Sequence, residues 1–358
     1  MTTPLWIPSR DRVRRAAITA FREQLERDLG RPLPSYRDLH RWSIEEPAAF
    51  WERCLRESGI RFVGGSSEVM SRDPMPYTRW FEGVSLNYAD ALLYPPSNPD
   101  GEAPAIIAVD ESGSDRTLTW NALRAQVAGT AAALAREGVG PGDRVAAFIA
   151  NVPEAVILLL ACASRGAIFS SCSPDFGVDA AHARFHQIAP AVLVASTGYE
   201  YNGRRFDTTP VIAELGSRLT PPPRIVCLGP RASCREGWTP WDEWIAGEIG
   251  QLETPPLPFE HPLYVLYSSG TTGLPKAMVH RTGGVLLKHH TELRLHGDVG
   301  PGDRLLYFTT CGWMMWNWLV SALAQGATIV LFDGSPSHPS LEILWKHVER
   351  LRITHFGT

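Results

Sequence analysis

Cysteine is scarce and scattered in this 358-residue chain, with six residues in all. Cys54, Cys162, Cys172, Cys227, Cys234 and Cys311 form no Cys-x-x-Cys pair and no His/Cys spacing of a zinc site. Metal fingers and disulfide frameworks are thereby excluded, and free thiols in a reducing cytoplasm are expected. An excess of basic charge is also missing: 34 Lys and Arg stand against 38 Asp and Glu, for a net charge of −4. Such a balance provides no general field for nucleic acid or anionic lipid, although a local cationic groove for a phosphate-bearing ligand is compatible with it. No long apolar run occurs either. The longest, Ala155 to Ala163, is far short of the roughly 20 residues of a membrane span. Met1 to Arg15 carries charges with no apolar stretch behind them, so neither a signal peptide nor an anchor is expected. The G-x-S-x-G and H-E-x-x-H signatures are absent. Neither a membrane nor a nucleic acid is an expected partner, and nothing sets an oligomeric state.

What is present is a globular composition, 44% hydrophobic and 20% charged, long enough for two domains or one large one. Residues 1–100 differ from the rest. They are rich in arginine and tryptophan, with helical patterns near Ala16 to Asp28 and Glu45 to Ser58, and are expected to form a helical cap. The breaker-rich Tyr94-Pro95-Pro96-Ser97-Asn98-Pro99-Asp100-Gly101 marks a boundary. Across residues 101–358, short β-like runs alternate with helical patterns. Ala105 to Val109, Arg144 to Ala150, Ala167 to Ser170, Ala191 to Ala195 and Arg224 to Cys227 read as strands. So do Leu305 to Phe308, Thr328 to Phe332 and Ile353 to Phe356. Helices fall around Thr119 to Glu137 and Pro153 to Ser164. This alternation predicts an α/β fold of mainly parallel sheets flanked by helices. The phrase Val-Gly-Pro-Gly-Asp-Arg occurs twice, at 139–144 and 299–304, each between a helix and a strand. It reads as shared turn chemistry.

The most informative stretch is Tyr267-Ser268-Ser269-Gly270-Thr271-Thr272-Gly273-Leu274-Pro275-Lys276. It lies between two apolar runs, Leu263 to Tyr267 and Ala277 to Val279, and so reads as a loop joining two strands. Two glycines let backbone N–H groups approach a ligand, four hydroxyls stand beside them, and one ammonium reaches the same place. These are the parts needed to hold a polyphosphate. A Walker A loop is excluded, because Pro275 precedes Lys276 and Ala277 follows it. A second stretch, Cys311-Gly312-Trp313-Met314-Met315-Trp316-Asn317-Trp318, opens a helix in which Trp313 and Trp316 would share one face and Met314 and Trp318 another. Tyr199 to Arg205 combines an Asn202-Gly203 turn with the adjacent Arg204 and Arg205. His182 and His186 have i, i+4 spacing but no further ligand nearby, and His289 and His290 face apart. Surface histidines are expected for both pairs.

The ten-residue loop resembles the signature of the AMP-forming adenylating enzymes, the superfamily of acyl-CoA synthetases, luciferases and peptide-synthetase adenylation domains. The leading segment resembles the N-terminal extension of acetyl-CoA and acetoacetyl-CoA synthetases, through Trp80-Phe81-Glu82-Gly83-Val84-Ser85-Leu86-Asn87-Tyr88-Ala89. Pro4-Leu5-Trp6-Ile7-Pro8-Ser9 and Arg41-Trp42-Ser43 match the acetoacetate branch more closely.

The resemblance implies two half-reactions. A carboxylate, here acetoacetate, attacks the α-phosphorus of ATP to give an acyl-adenylate and pyrophosphate, and the thiol of coenzyme A then displaces AMP. It implies that Ser268, Ser269, Gly270, Thr271, Thr272 and Gly273 cradle the ATP phosphates, with Lys276 as their clamp and Mg²⁺ offsetting charge. It also implies that Trp313, Met314 and Met315 bound the acid, and that Arg204, Arg205, Phe176 and Gly177 meet coenzyme A. Family members continue past the point matching Thr358 with a metal-binding glutamate, a ribose-binding aspartate and a small mobile domain. The expectation is therefore the first part of an adenylating large domain, with little or no turnover of its own. A synthetase for acetate or propionate, and a non-catalytic nucleotide-binding fragment, are the alternatives.

Overall fold

The computed structural model describes residues 4–247, 250–268 and 273–358. The leading segment carries helices α1 (Arg10–Arg15), α2 (Ala17–Leu29), α3 (Tyr36–Glu45) and α4 (Pro47–Glu57). α2 stops at Gly30, which takes the left-handed conformation (φ 63°) that ends helices without a Cβ penalty. Short strands β1 (Phe62–Val63) and β2 (Ser85–Leu86) follow, then α5 (Tyr88–Leu93). α5 is capped by Asn87, whose side chain accepts the N–H of Ala89 at 2.9 Å and donates to Pro255 O at 3.0 Å. The expected tryptophan cap is present: Trp42 is buried, and Trp51 meets Trp80 edge-on at 6.3 Å. Its residues share one apolar core with the rest of the chain, Phe21, Leu25 and Trp42 clustering with Leu286 and Leu287.

The chain continues through β3 (Pro104–Asp110), β4 (Asp115–Thr119), α6 (Trp120–Arg136), β5 (Arg144–Phe148), α7 (Pro153–Arg165), β6 (Ile168–Cys172), α8 (Val178–Phe185) and β7 (Val192–Ser196). Then come the hairpin β8 (Gly198–Tyr201) and β9 (Arg204–Asp207), α9 (Thr209–Arg218), β10 (Arg224–Leu228), β11 (Thr239–Pro240), α10 (Trp241–Ile245) and β12 (Leu257–Pro258). The last elements are β13 (Pro262–Ser268), β14 (Lys276–Arg281), α11 (Thr282–Thr291), β15 (Arg304–Tyr307), α12 (Met314–Val320), β16 (Thr328–Asp333), α13 (Ile343–Arg350) and β17 (His355–Gly357).

Two sheets dominate, in the orders β11-β10-β7-β5-β6-β13-β14 and β17-β15-β16-β3-β4. Both are parallel except for one antiparallel edge pair, β13 with β14 and β3 with β4. α7 is apolar nearly all round: Leu158, Leu159 and Leu160 are fully buried, each contributing about 2 kcal/mol of hydrophobic free energy. A helix of that kind belongs in an interior, which is where α7 lies. Among the described residues no helix is long and apolar enough to cross a membrane.

Two expectations need correction. Cys227 and Cys234 are joined as a disulfide; only Cys54, Cys162, Cys172 and Cys311 are free, all of them buried. The chain turns back after β10 and so brings two distant-looking thiols together. His289 and His290 are buried, at 4% and 8% exposure, because α11 is enclosed on both sides. Desolvation depresses their pKa to about 3 and about 4. His182 and His186 instead stack on each other at the surface.

Candidate active site

In a parallel sheet ligand-binding loops gather at the carboxyl ends of the strands, and the candidate residues can be taken strand by strand from there. β13 and β14 pair in register so that Ser268 lies opposite Lys276. The signature loop is thus a connection between antiparallel strands, and it leaves the sheet at the carboxyl end of β13. Ser269, Gly270, Thr271 and Thr272 lie outside the described residues. Among the described residues nothing lies near the position of a Cβ on Gly273, and Lys276 is exposed.

The loop after β6 sits against this exit. The Arg184 guanidinium lies 4.7 Å from the ring of Phe176 and 5.9 Å from that of Tyr267. The Tyr267 hydroxyl donates to Arg184 O at 2.8 Å, and Gln187 Nε2 donates to Pro275 O at 2.9 Å. Arg184 of α8 and Gln187 just beyond its C-cap therefore brace the two ends of the loop. Burial, with a smaller contribution from the Asp175 charge, raises the pKa of Tyr199 at the root of the β8–β9 hairpin. Gly177 is the exposed N-cap of α8. Phe176 and Gly177 are thus neighbours of the signature loop.

Arg204 and Arg205 are exposed on β9. The turn before them has Asn202 and Gly203 at φ 55° and 70°, the two left-handed residues that an Asn-Gly hairpin requires. Its tip is anchored by Glu111, whose carboxylate accepts the N–H groups of Asn202 and Gly203, both at 2.7 Å, and that of Ser335. Burial raises the Glu111 pKa, but the three backbone N–H bonds outweigh it and the net shift is downward. Arg205 lines a separate polar cavity of about 700 Å³ with Asp207, Thr209 and Arg235. Arg205 therefore lines a space to which Lys276 does not contribute.

The second sheet delivers the other stretch. After β15 the chain crosses to the first sheet, where the Ser171 hydroxyl donates to Cys311 O at 2.7 Å and the Cys311 thiol to Ala150 O at 3.2 Å. A Cβ on Gly312 would come within 3.6 Å of Cys172 Cα. Trp313 is the extended N-cap residue of α12 and precedes the first helical turn. The expected pairing of Trp313 and Trp316 on one helix face fails for that reason. Trp313 is 65% and Met314 43% exposed, Met315 is half-buried, and Trp316 is fully buried against Phe169.

Several residues that organise this region were not singled out in the sequence. Asn151 is the principal one. Its Nδ2 donates to Thr309 O at 3.3 Å and Phe332 O at 3.2 Å, its Oδ1 accepts Trp316 Nε1 at 2.9 Å, and its N–H donates to Asp333 Oδ1 at 3.1 Å. It ties the exit of β5 to those of β15 and β16. Burial pushes Asp333 up to about 6 against the opposing Asn151 N–H bond. Asp333, Asn151, Glu200, Asp110 and Arg116 line a cavity of about 450 Å³ at this seam. The available signal was positional: Asn151 precedes the Pro153 that starts a helix, and Asp333-Gly334 ends an apolar run. Among the described residues no group of three His, Cys, Asp or Glu side chains would hold a metal ion.

The sequence profile of the AMP-binding enzymes matches residues 97–358, and that of the acetyl-coenzyme A synthetase N-terminus matches residues 36–91. The chain belongs to the AMP-binding enzyme family. Within it, the chain is 42% identical over 363 residues to the acetoacetyl-coenzyme A synthetase of Rhizobium meliloti, covering 99% of this chain and 55% of that protein. A malonamoyl-CoA synthetase of Penicillium aethiopicum is 38% identical, with 94% of this chain and 50% of that protein covered. The solved acetoacetyl-CoA synthetase of Streptomyces lividans superposes with a TM-score of 0.93 at 42% identity, covering 100% of this chain and 55% of that structure. This chain thus spans about half the length of the relatives it matches.

Proposed function

We propose that this chain forms the acid- and nucleotide-binding part of an ATP-dependent acyl-CoA ligase acting on a short 3-oxo acid, acetoacetate first. The observation that carries the reading is the strand pair that sets Ser268 opposite an exposed Lys276. It opens at the same end of the sheets as the exposed Trp313 and Met314. Lys276 offsets phosphate charge and Ser268 donates to phosphate oxygen, with Ser269 to Gly273 completing the cradle. Nucleotidyl transfer relies on such positioning and charge neutralisation more than on a protein nucleophile. A carboxylate oxygen forms a bond to the α-phosphorus as the bond to pyrophosphate breaks. The thiol sulfur of coenzyme A then bonds to the acyl carbon as AMP leaves and the thiol proton is lost. Trp313, Met314 and Met315 bound the acid, Phe176 and Gly177 line the thiol's approach, and Arg204 and Arg205 meet coenzyme A phosphates. Mg²⁺ would offset the charge of the ATP phosphates beside Lys276.

The acid class draws support from the names of two relatives, an acetoacetyl- and a malonamoyl-CoA synthetase. Their acids share a short chain with a carbonyl at C3. A cytoplasmic setting belongs to the same proposal; four buried free thiols support it and the Cys227–Cys234 bond counts against it. Calorimetric titration of Met1–Thr358 with ATP tests the phosphate clamp: Lys276→Ala should weaken binding about tenfold or more, and unchanged affinity would overturn it. The acid is tested on a chimaera completed with the remainder of the Streptomyces lividans enzyme. Pyrophosphate release with acetate equal to that with acetoacetate or malonamate would remove the 3-oxo assignment.

A further inference from the structure

The helical segment at the start of the chain leaves a cleft of about 360 Å³ between α2, the end of α4 and the end of α11. None of its lining residues belongs to the candidate active site. Its floor is apolar, formed by Ala17, Phe21 and Leu295. Its polar lining is rich in donors. Arg27 and Arg294 stand exposed at the lip. The acid lining the cleft, Glu57, pairs with Arg53 at 2.7 Å, and Glu292 pairs with Lys288 at 2.8 Å, so neither neutralises Arg294.

One buried hydroxyl and one ring nitrogen bear on the chemistry inside. Thr291 is 5% exposed, and its hydroxyl has no hydrogen-bond partner among the described residues. Leaving such a group unpaired costs about 1–3 kcal/mol. Its neighbour is the Cys54 sulfur, which can take the hydroxyl proton only as a weak acceptor. His290 supplies the second group. The donor-only Gln325 Nε2 lies 2.9 Å from His290 Nδ1, so Nδ1 accepts and the proton sits on Nε2. That N–H is the ring's remaining donor, on a residue that lines the cleft. Directly after Thr291 the helix changes pitch, Glu292–His296 being π-helical. Such turns are rare and concentrate at functional sites; this one carries Arg294 and Leu295 into the lining.

We infer that this cleft binds a small organic anion, a carboxylate on a short apolar body. Arg294 and Arg27 meet the charge, the Thr291 hydroxyl and His290 Nε2–H donate to it, and Phe21 and Leu295 cover its carbons. A bare phosphate would satisfy the same donors and leave the apolar floor in contact with water.

The test is calorimetric titration of Met1–Thr358 with butyrate and, separately, with inorganic phosphate, in a buffer containing neither. Saturable butyrate binding is expected, weakened about tenfold or more in Thr291→Val and in Arg294→Gln, and unchanged in Lys346→Gln, an exposed cation outside both sites. Arg294 is exposed, so Arg294→Gln keeps the test open should Thr291→Val fail to fold. Circular dichroism checks each variant. Butyrate binding that ignores both cleft substitutions, or that is lost only in Trp313→Ala, would place the anion elsewhere and end the proposal. Phosphate binding as tight as butyrate would remove the apolar body from it.

Discussion

The two copies of Val-Gly-Pro-Gly-Asp-Arg can be laid side by side. At the first, Gly140 N–H donates to Asp143 Oδ2 at 2.9 Å; at the second, Gly300 N–H donates to Asp303 Oδ2 at 2.9 Å. Gly142 and Gly302 have φ of 84° and 86°, and Val139 and Val299 are buried. Asp143 O accepts Ile168 N–H at 2.7 Å and Asp303 O accepts Thr328 N–H at 2.9 Å, so each turn also seats the strand that follows in the sheet. The strands they launch, β5 and β15, each run between two parallel neighbours. At the far ends the likeness stops. β5 runs out to Asn151, 4% exposed and bonded on every side, whereas β15 runs out to Trp313, 65% exposed. A common entrance fixes where a strand starts, and the exits divide between holding the two sheets together and facing solvent.

The sharpest way to break this comparison is to damage the structural exit. Asn151→Leu removes three side-chain bonds and leaves the Trp316 indole N–H unpaired in the interior. A loss of about 3 kcal/mol or more is expected from urea unfolding midpoints. Asp333, on the same seam, tests it through pH. Its folded pKa of about 6 lies above the ordinary 3.8, chiefly through burial. Its contribution to stability is therefore complete below pH 3.8 and lost as pH rises through about 6. Asp333→Asn should gain on the parent protein by about 2 kcal/mol between pH 4 and pH 7. His289 and His290 titrate with the opposite sign, their stabilisation present above pH 6.5 and lost as pH falls toward about 3 and about 4. The difference between variant and parent removes them. No such drift in the difference would show that Asp333 ionises normally.

Next in size, Asp143→Ala and Asp303→Ala should each cost about 1 kcal/mol. A gap between the two much larger than that would mean that the entrances are not equivalent. The smallest effect on stability belongs to Trp313→Ala, expected within about 0.5 kcal/mol of the parent. The same substitution should change acid selectivity in the completed chimaera.

Much of this was readable beforehand, and the reason is local chemistry. The repeated turn, the Asn202-Gly203 turn and the placing of the signature stretch as a loop between two strands depend on residues close in the chain, so composition and spacing specify them. The alternation of strands and helices likewise predicts sheets that are parallel apart from their edges. Asn151 and Glu111 were invisible because each meets backbone groups that lie near it only after folding, Phe332 O and Ser335 N among them. Burial of His289 depends on Ser321, 32 residues away, whose oxygen lies 2.9 Å from its Nδ1. The Cys227–Cys234 bond follows from a turn after β10 that no periodicity announces.

Trp316 occupies the join between the two sheets, its indole bonded to Asn151 and its ring stacked on Phe169. The molecule thus carries a built-in optical gauge three residues from the solvent-facing Trp313. Any event that prises the sheets apart at their carboxyl ends must wet Trp316 and redden its emission, while a ligand that merely settles on the surface would perturb Trp313 alone.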